Sequence, residues 1–378
     1  MAEFSFGGVT VPEGTKRLYV TAELVSSSDD PRIQPTKFPD IDTVMYPDPS
    51  GEHAQICLIE SEPSMANRLE EACVADKYTG DLRTELDGLP YVKVMRGDRF
   101  MTASTIDAHR FASPHILGAS TTEPNGNFGK DTMLVDYLKS ELGVDAGDTK
   151  GKNVPAANVP RIFRLAMELD PMSLIHGFQI SSEKLSFVGL RSPRALVASI
   201  VGLNAQLVGI PGIKFDPLVT GKAAEGHQPI FRKERIVART IQANFAIDVR
   251  LLSGLAVGPK AVGEENDKQK SHRESEGHHR RNLLLAIALW KVARFLKDLS
   301  DGHRLRTECD LVLDSAKYTT KYKKDWKEDS PPHFPVDQIV ADGQKKDGDN
   351  PAEGSLQDLI TESGLPGSRS PLTLELGD

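Results

Sequence analysis

The stretch Thr240–Leu251 alternates without a break, with Ile241, Ala243, Phe245, Ile247, Val249 and Leu251 on one side and Thr240, Gln242, Asn244, Ala246, Asp248 and Arg250 on the other. A sustained period of two predicts a strand with one buried and one polar face, the pattern of an open sheet covered on one side only. Residues Arg17–Val25 repeat it: Leu18, Val20, Ala22 and Leu24 fall opposite Tyr19, Thr21 and Glu23. Any fold for this chain has to place these two segments in a sheet and cover their apolar sides.

The rest of the chain supplies the cover. Ala54–Glu60 is a short apolar run that reads as a further strand. Ser61 is placed to cap a helix with Pro63 in its first turn, after which Met65, Leu69, Ala72 and Cys73 share one face. Tyr91–Met95 reads as a strand and Ala103–Ala112 as a helix ended by Ser113-Pro114. Asp131–Leu142 reads as a helix closed by Gly143, and Arg161–Leu169 as another, stopped by Asp170-Pro171. A strand pair (175–180 and 185–190), a short helix Arg194–Leu203 and a long helix Asn282–Ser300 follow the same reasoning. The order of elements predicts an α+β chain similar to a ferredoxin-like, or RNA-recognition-motif, fold. Residues 1–330 form that unit, with insertions at about 97–165 (helical), 205–235 (a Gly/Pro-rich loop) and 258–282 (polar and mobile). Residues 331–378 read as an acidic, Pro/Gly-rich tail, ordered only if it docks.

Charge and cysteines narrow the function. The net charge is -8, of which -6 falls between Ser330 and Asp378. Residues 267–324 carry fourteen Lys/Arg against eight Asp/Glu, so a basic surface is compatible with the acidic total. No apolar run approaches the length of a membrane span, and the N-terminus has no basic region followed by an apolar core. Cys57, Cys73 and Cys309 are far apart with no Cys-x-x-Cys pair. These features predict a cytoplasmic protein without disulfides and without a cysteine-ligated zinc.

Catalytic motifs are weak. Gly126-Asn-Phe-Gly129-Lys130-Asp-Thr132 suggests a phosphate loop, but Pro124 stands where the first glycine is required. His272, His278 and His279 lie in a polar segment without a His-Glu-x-x-His pattern, so no metal site is expected. Asp107 and His109 are two apart on a predicted helix and point to different sides. Asp170 and His176 bracket Pro-Met-Ser-Leu-Ile, where turn chemistry and a structural strand-start histidine account for both.

Signals for RNA agree better. Lys317-Tyr318-Thr-Thr-Lys-Tyr-Lys-Lys-Asp-Trp326 interleaves lysines with aromatics, suiting phosphates and stacked bases, or equally an edge strand kept soluble by lysines. Arg239 leads into the strand with the polar face, Arg191 and Arg194 flank Ser192-Pro193, and Arg304 and Arg306 flank Leu305. Basic side chains at several element ends are what a groove tracking an RNA backbone needs.

Several segments together resemble the backbone subunit of the type I-G (formerly I-U) CRISPR Cascade, in the Cas-seven group of the RAMP superfamily. They include Leu18-Tyr-Val-Thr-Ala-Glu-Leu, Arg32-Ile-Gln-Pro-Thr-Lys-Phe-Pro-Asp40 and Glu60-Ser-Glu-Pro-Ser-Met-Ala-Asn-Arg-Leu-Glu70. Further segments are Gly88-Leu-Pro-Tyr-Val92, Asp107-Ala-His-Arg110, Asp170-Pro-Met-Ser-Leu-Ile-His-Gly177, Leu285–Lys291 and Leu305–Leu311. The resemblance implies an RNA-recognition-motif palm with helical and thumb-loop insertions, the thumb falling at about 205–235. It implies copies stacked along a CRISPR RNA that is held for pairing with a target DNA strand, beside other Cascade subunits and a recruited helicase-nuclease. No catalytic residue, metal or cofactor is expected. The RNA contacts it suggests are Ser64, Asn67 and Arg68 with Arg32, then Arg110, Arg191, Arg194, Arg239, Arg304, Arg306, Lys317 and Tyr318. Two competing readings are a metal-dependent endoribonuclease centred on Asp107 or Asp170 and a scaffold that binds protein partners through its acidic tail.

Overall fold

The computed structural model describes residues 3–36, 43–122, 129–143, 159–180, 190–208, 235–260, 266–302, 305, 310–321, 331–343, 355–365 and 371–377. A hairpin, β1 (Phe4–Phe6) and β2 (Val9–Val11), leads into the main sheet. That sheet has six strands: β3 (Leu18–Ser26), β4 (Met45–Tyr46), β5 (Ile56–Glu60), β12 (Leu196–Leu203), β15 (Thr240–Ile247) and β16 (Leu311–Thr319). Their spatial order is β16-β3-β15-β12-β5-β4, with every neighbour antiparallel. Hence β3 and β12 run parallel with β15 between them, and β15 and β16 run parallel with β3 between them.

The alternation of β15 is realised as the sequence predicts. Ile241, Ala243, Phe245 and Ile247 are buried, and in register they meet Leu24, Ala22, Val20 and Leu18 of β3. On the other side they meet Gly202, Ile200, Ala198 and Leu196 of β12. Each large side chain buried here contributes on the order of 1.5–3 kcal/mol, which is why the register does not slip. The strand stops at Ile247, short of the expected Leu251. Asp248 accepts the Leu251 N–H at 2.9 Å and caps α6 (Val249–Gly254), so Val249 and Leu252 share a helical face instead.

The helical layer covers one face. It comprises α1 (Glu62–Glu71), α2 (Pro114–Leu117), α3 (Leu134–Leu142), α4 (Val159–Leu169), α5 (Met172–His176) and the long α7 (Asp267–Ser300). Met65 and Leu69 of α1 are buried as expected, and Phe295 of α7 meets Phe245 edge-on at 6.1 Å. Small sheets lie at the margins: β6 (Val74–Asp76) with β7 (Asp81–Leu82), and β8 (Val92–Arg96) with β9 (Arg99–Ala103). Also marginal are β10 (Phe178–Ile180) with β11 (Leu190–Ser192), and β13 (Gln206–Val208) with β14 (Arg235–Val237).

Further expectations change. Ile175 and His176 close the helix Met172–His176 instead of opening a strand, which begins only at Phe178 after Gly177. Arg194–Leu203 is not a helix; the period-two run of Leu196, Ala198 and Ile200 makes it the central strand β12. Ala103–Ala112 ends β9 and continues as turns into a short 3-10 helix (Arg110–Ala112). The polar segment expected to be mobile over 258–282 is helical from Asp267, because Asn266 and Gln269 form a capping box and the segment is rich in Lys, Gln, Glu and Arg. Finally, the C-terminal segment docks on its own chain. There α8 (Val336–Asp342) and α9 (Leu356–Glu362) pack on α7, and β17 (Leu372–Glu375) pairs in parallel with β8. Phe334, Ile339, Leu356, Leu372 and Leu374 are buried, an apolar content hidden by the acidic average. The same segment covers the edge of β16, through Phe334 N–H to Ala316 O (2.9 Å) and Tyr318 N–H to Pro332 O (3.0 Å).

Candidate nucleic-acid interface

Opposite the helices, the main sheet presents its polar side chains in cross-strand rows. One row is Lys317, Thr21, Asn244 and Ser199; the next toward the Asn204 end is Ser315, Glu23, Gln242 and Val201. In the other direction lie Thr319, Tyr19, Ala246 and Val197. Hydroxyls, amides and the Lys317 ammonium group can donate to and accept from phosphate, ribose and base edges, whereas the exposed Glu23 carboxylate on the same face repels phosphate, and Val197, Ala246 and Val201 are apolar.

Among the expected contacts, Lys317 is exposed on this open face. Tyr318 is not. It points to the helical side and meets Phe334 edge-on at 6.3 Å, because the strand period turns neighbours to opposite faces. Arg239 is exposed where β15 begins, its N–H bonded to Leu203 O at 3.0 Å. Arg32 lies near the same end, exposed but held by Asp30 through two hydrogen bonds of 2.8 Å. Those bonds hold the Asp30 carboxyl down at about 2, and Arg235 adds a second positive group at 3.8 Å from it. Arg191 and Arg194 are exposed at the opposite end. Eight residues of β15 separate the two ends, roughly 25 Å at strand rise, so these arginines flank the face rather than converge. Arg304 and Arg306 lie outside the described residues, as do residues 209–234 of the expected thumb.

The α1 residues lie in the helical layer. Ser64 donates to Glu60 rather than to a free surface, and Thr36 donates to the same carboxylate at 3.2 Å. Asn67 is exposed beside a cleft of about 220 Å³ lined by Glu70, Glu71, Lys77 and Thr105. Arg68 is half-buried and bonded to Glu71 at 2.7 Å, and Lys77 reaches the same carboxylate. The helix therefore offers Asn67 openly and Arg68 only in competition with Glu71.

Arg110 is a correction. It is buried, with its guanidinium forked onto Glu70 (2.6 and 3.0 Å) and its remaining nitrogen donating to Gly177 O at 2.9 Å. It ties α1 to the start of β10 and has no face to offer RNA. Around it lies a buried polar group that sequence reasoning missed: Asp170 bonded to Ser173 (2.6 Å) and Lys291 bonded to His176 (3.0 Å). Burial pushes the Glu70 and Asp170 carboxyls up, with Arg110 and Lys291 opposing, and pushes the His176 imidazole well down. The available signal was Lys291 itself, a charge inside a helix otherwise apolar on most sides. Lys291 and Arg280 are both buried, so the basic count of 267–324 overstates what reaches the surface.

Of the two candidate catalytic aspartates one is half-buried and hydrogen-bonded and the other is buried. Asp107 accepts from Ser113 Oγ at 2.7 Å and from His109 N–H at 2.9 Å, and Asp170 is sealed in the core. His272 pairs with Glu276 along α7. Among the described residues no group of three or more His, Cys, Asp or Glu is placed to hold a metal ion, and no helix is long and apolar enough to cross a membrane.

The sequence match decides the family. The family model described as CRISPR-associated protein GSU0053 matches residues 18–207, just over half of the chain. The chain belongs to that CRISPR-associated family. The matched segment runs from β3 through α1 and the buried polar group's Glu70, Arg110, Asp170 and His176 to β13. No curated protein matches the chain in sequence. Among solved structures it is similar to Csc2 of Thermofilum pendens, at 11% identity and a TM-score of 0.30, over 91% of this chain and 74% of that one. A chain of a CRISPR RNA-guided surveillance complex, pre-nicking, is similar at 9% identity and a TM-score of 0.30, over 92% and 86%. Both are weak likenesses.

Proposed function

We propose that this CRISPR-associated protein is a non-catalytic RNA-binding subunit that lines up in several copies along a CRISPR RNA in a type I-G Cascade. The observation that carries the reading is the open polar face of the main sheet, flanked by arginines at both ends, in a chain of this family. The strand order supports an RNA-recognition-motif palm. Strands β3, β12, β15 and β16 with their two helical crossovers give the β-α-β-β-α-β pattern of that fold. In this role the protein grips the RNA backbone, and base pairing with a target DNA strand supplies sequence choice. Other Cascade subunits and a recruited helicase-nuclease complete the machine.

The test is assembly. Purified chain mixed with a CRISPR RNA gives multimers whose length follows the RNA and whose formation weakens steeply with salt. A chain that stays monomeric and indifferent to RNA at low salt overturns the reading. Adding complementary RNA and Mg²⁺ to the assembled complex separates it from the endoribonuclease alternative, for which regularly spaced cuts lost on Asp107→Ala or Asp170→Ala would speak.

A further inference from the structure

Three chain segments far apart in sequence meet at the end of the main sheet where β3 and β12 begin and β15 ends. Arg250 N–H donates to Lys16 O at 3.1 Å, and Asp248 N–H donates to Ala195 O at 2.7 Å. Arg17 pairs with Asp248 at 2.9 Å. The chain positions of Lys16, Arg194 and Arg250 are thereby brought to one end of the sheet and all three residues are exposed, with Arg17 beside Lys16 and Arg191 on the neighbouring β11. Asp248 is the one described carboxylate in contact with any of these five cations. Both its oxygens are engaged, one by Arg17 and the other by the Leu251 N–H. A local concentration of positive charge on a chain of net charge -8 attracts anions, and its cations sit on backbone anchored by the central strands.

We propose that Lys16, Arg17 and Arg250 join Arg191 and Arg194 in a phosphate-binding site that grips the RNA backbone where it leaves the open face of the sheet. The assignment rests on the RNA-binding reading. Arg191 and Arg194 lie within the family-matched residues 18–207, and Lys16, Arg17 and Arg250 outside them. Its ligand is a run of sugar-phosphate, because the five cations are spread over a strand end rather than closed around one ion. Recognition is by charge, without base preference.

The test is a double reversal, Lys16→Glu with Arg250→Glu, in the full chain, using a fluorescently labelled CRISPR RNA over a salt series. The control is Arg96→Glu with Arg99→Glu, the same change of charge on the exposed β8–β9 hairpin. We expect the first variant to keep its melting temperature, lose at least tenfold in affinity, and show a log–log salt slope shallower by about 1.4, two phosphate contacts of a single strand. The control keeps the wild-type slope. Equal losses in both variants, or an unchanged slope in the first, overturn the site while the RNA-binding reading stands. Unchanged RNA affinity with lost multimers assigns the patch to contact between copies and also overturns it. A wild-type chain that ignores RNA overturns the reading beneath it.

Discussion

Lys291 Nζ lies 3.0 Å from His176 Nε2, and both residues are wholly buried. An ammonium group can only donate, so His176 accepts at Nε2 and carries its proton on Nδ1, which has no partner among the described residues. A second proton would place an imidazolium against Lys291, near Arg110 and Arg194, and burial pushes in the same direction.

A pH dependence follows with a definite sign. The folded pKa of His176 lies well below the ordinary 6.5, so below that value the unfolded chain binds a proton that the folded chain refuses. Stability falls as pH drops below about 6.5, by up to about 1.4 kcal/mol per pH unit from this group. Glu70 and Asp170, pushed up by burial, act oppositely: between their ordinary and their raised values they bind protons in the folded state first. Urea unfolding at pH 7, 6 and 5 of wild type and His176→Gln isolates the histidine. We expect the variant's curve of stability against pH to be the flatter one.

Lys291 also balances the buried carboxylates of Glu70 and Asp170. Lys291→Met keeps the length of the side chain and removes its charge. It leaves Arg110 paired with Glu70, removes the hydrogen bond to His176 and should cost about 1–3 kcal/mol, as leaving a buried polar group without its partner does. Denaturant unfolding checks this, with an unchanged m-value showing that the native fold is retained. Adding His176→Leu removes the orphaned acceptor and should recover part of the loss.

How much of this was legible in the sequence depends on whether the information was local. The faces of β3 and β15, the inward Met65 and Leu69, and the αL Gly143 closing α3 follow from period and capping, and the structure has them. Arg110 was misread because an exposed phosphate ligand and a buried partner of Glu70 look alike until the residue 40 positions earlier is brought beside it. The convergence of Lys16, Arg194 and Arg250 was invisible for the same reason. Tyr318 failed on parity, since only the register against β3 shows which neighbour faces the open side.

The C-terminal segment yields a graded prediction. Ending the chain after Ser330 removes Phe334, Val336, Ile339, Leu356, Leu359, Ile360, Leu372 and Leu374 from the core. At about 1.5–3 kcal/mol each, that exceeds the whole stability of an ordinary domain, so this truncation should not fold. Ending it after Leu365 removes β17 alone, with Leu372 and Leu374, and should give a folded protein of lower melting temperature. Circular dichroism melts of the two truncations against wild type decide it; equal stability of all three would mean that the docked tail contributes nothing.

The ion pair between Arg68 and Glu71 makes α1 a test of direction as well as of size. If Arg68 holds an RNA phosphate, Glu71 competes for the same guanidinium at 2.7 Å. Arg68→Glu should then weaken RNA binding, with a stability loss of about 1–3 kcal/mol because a carboxylate facing Glu71 replaces a pair whose side chains are only 15% and 20% exposed. Glu71→Gln removes the competitor and should strengthen RNA binding by a few fold, whereas a purely structural pair would make the same substitution neutral or harmful. Asn67→Ala, at an exposed position of the same helix, should leave the melting temperature unchanged while lowering affinity. Titrations of a labelled CRISPR RNA into the three variants read all three effects, and a fall in affinity on Glu71→Gln would remove Arg68 from the interface.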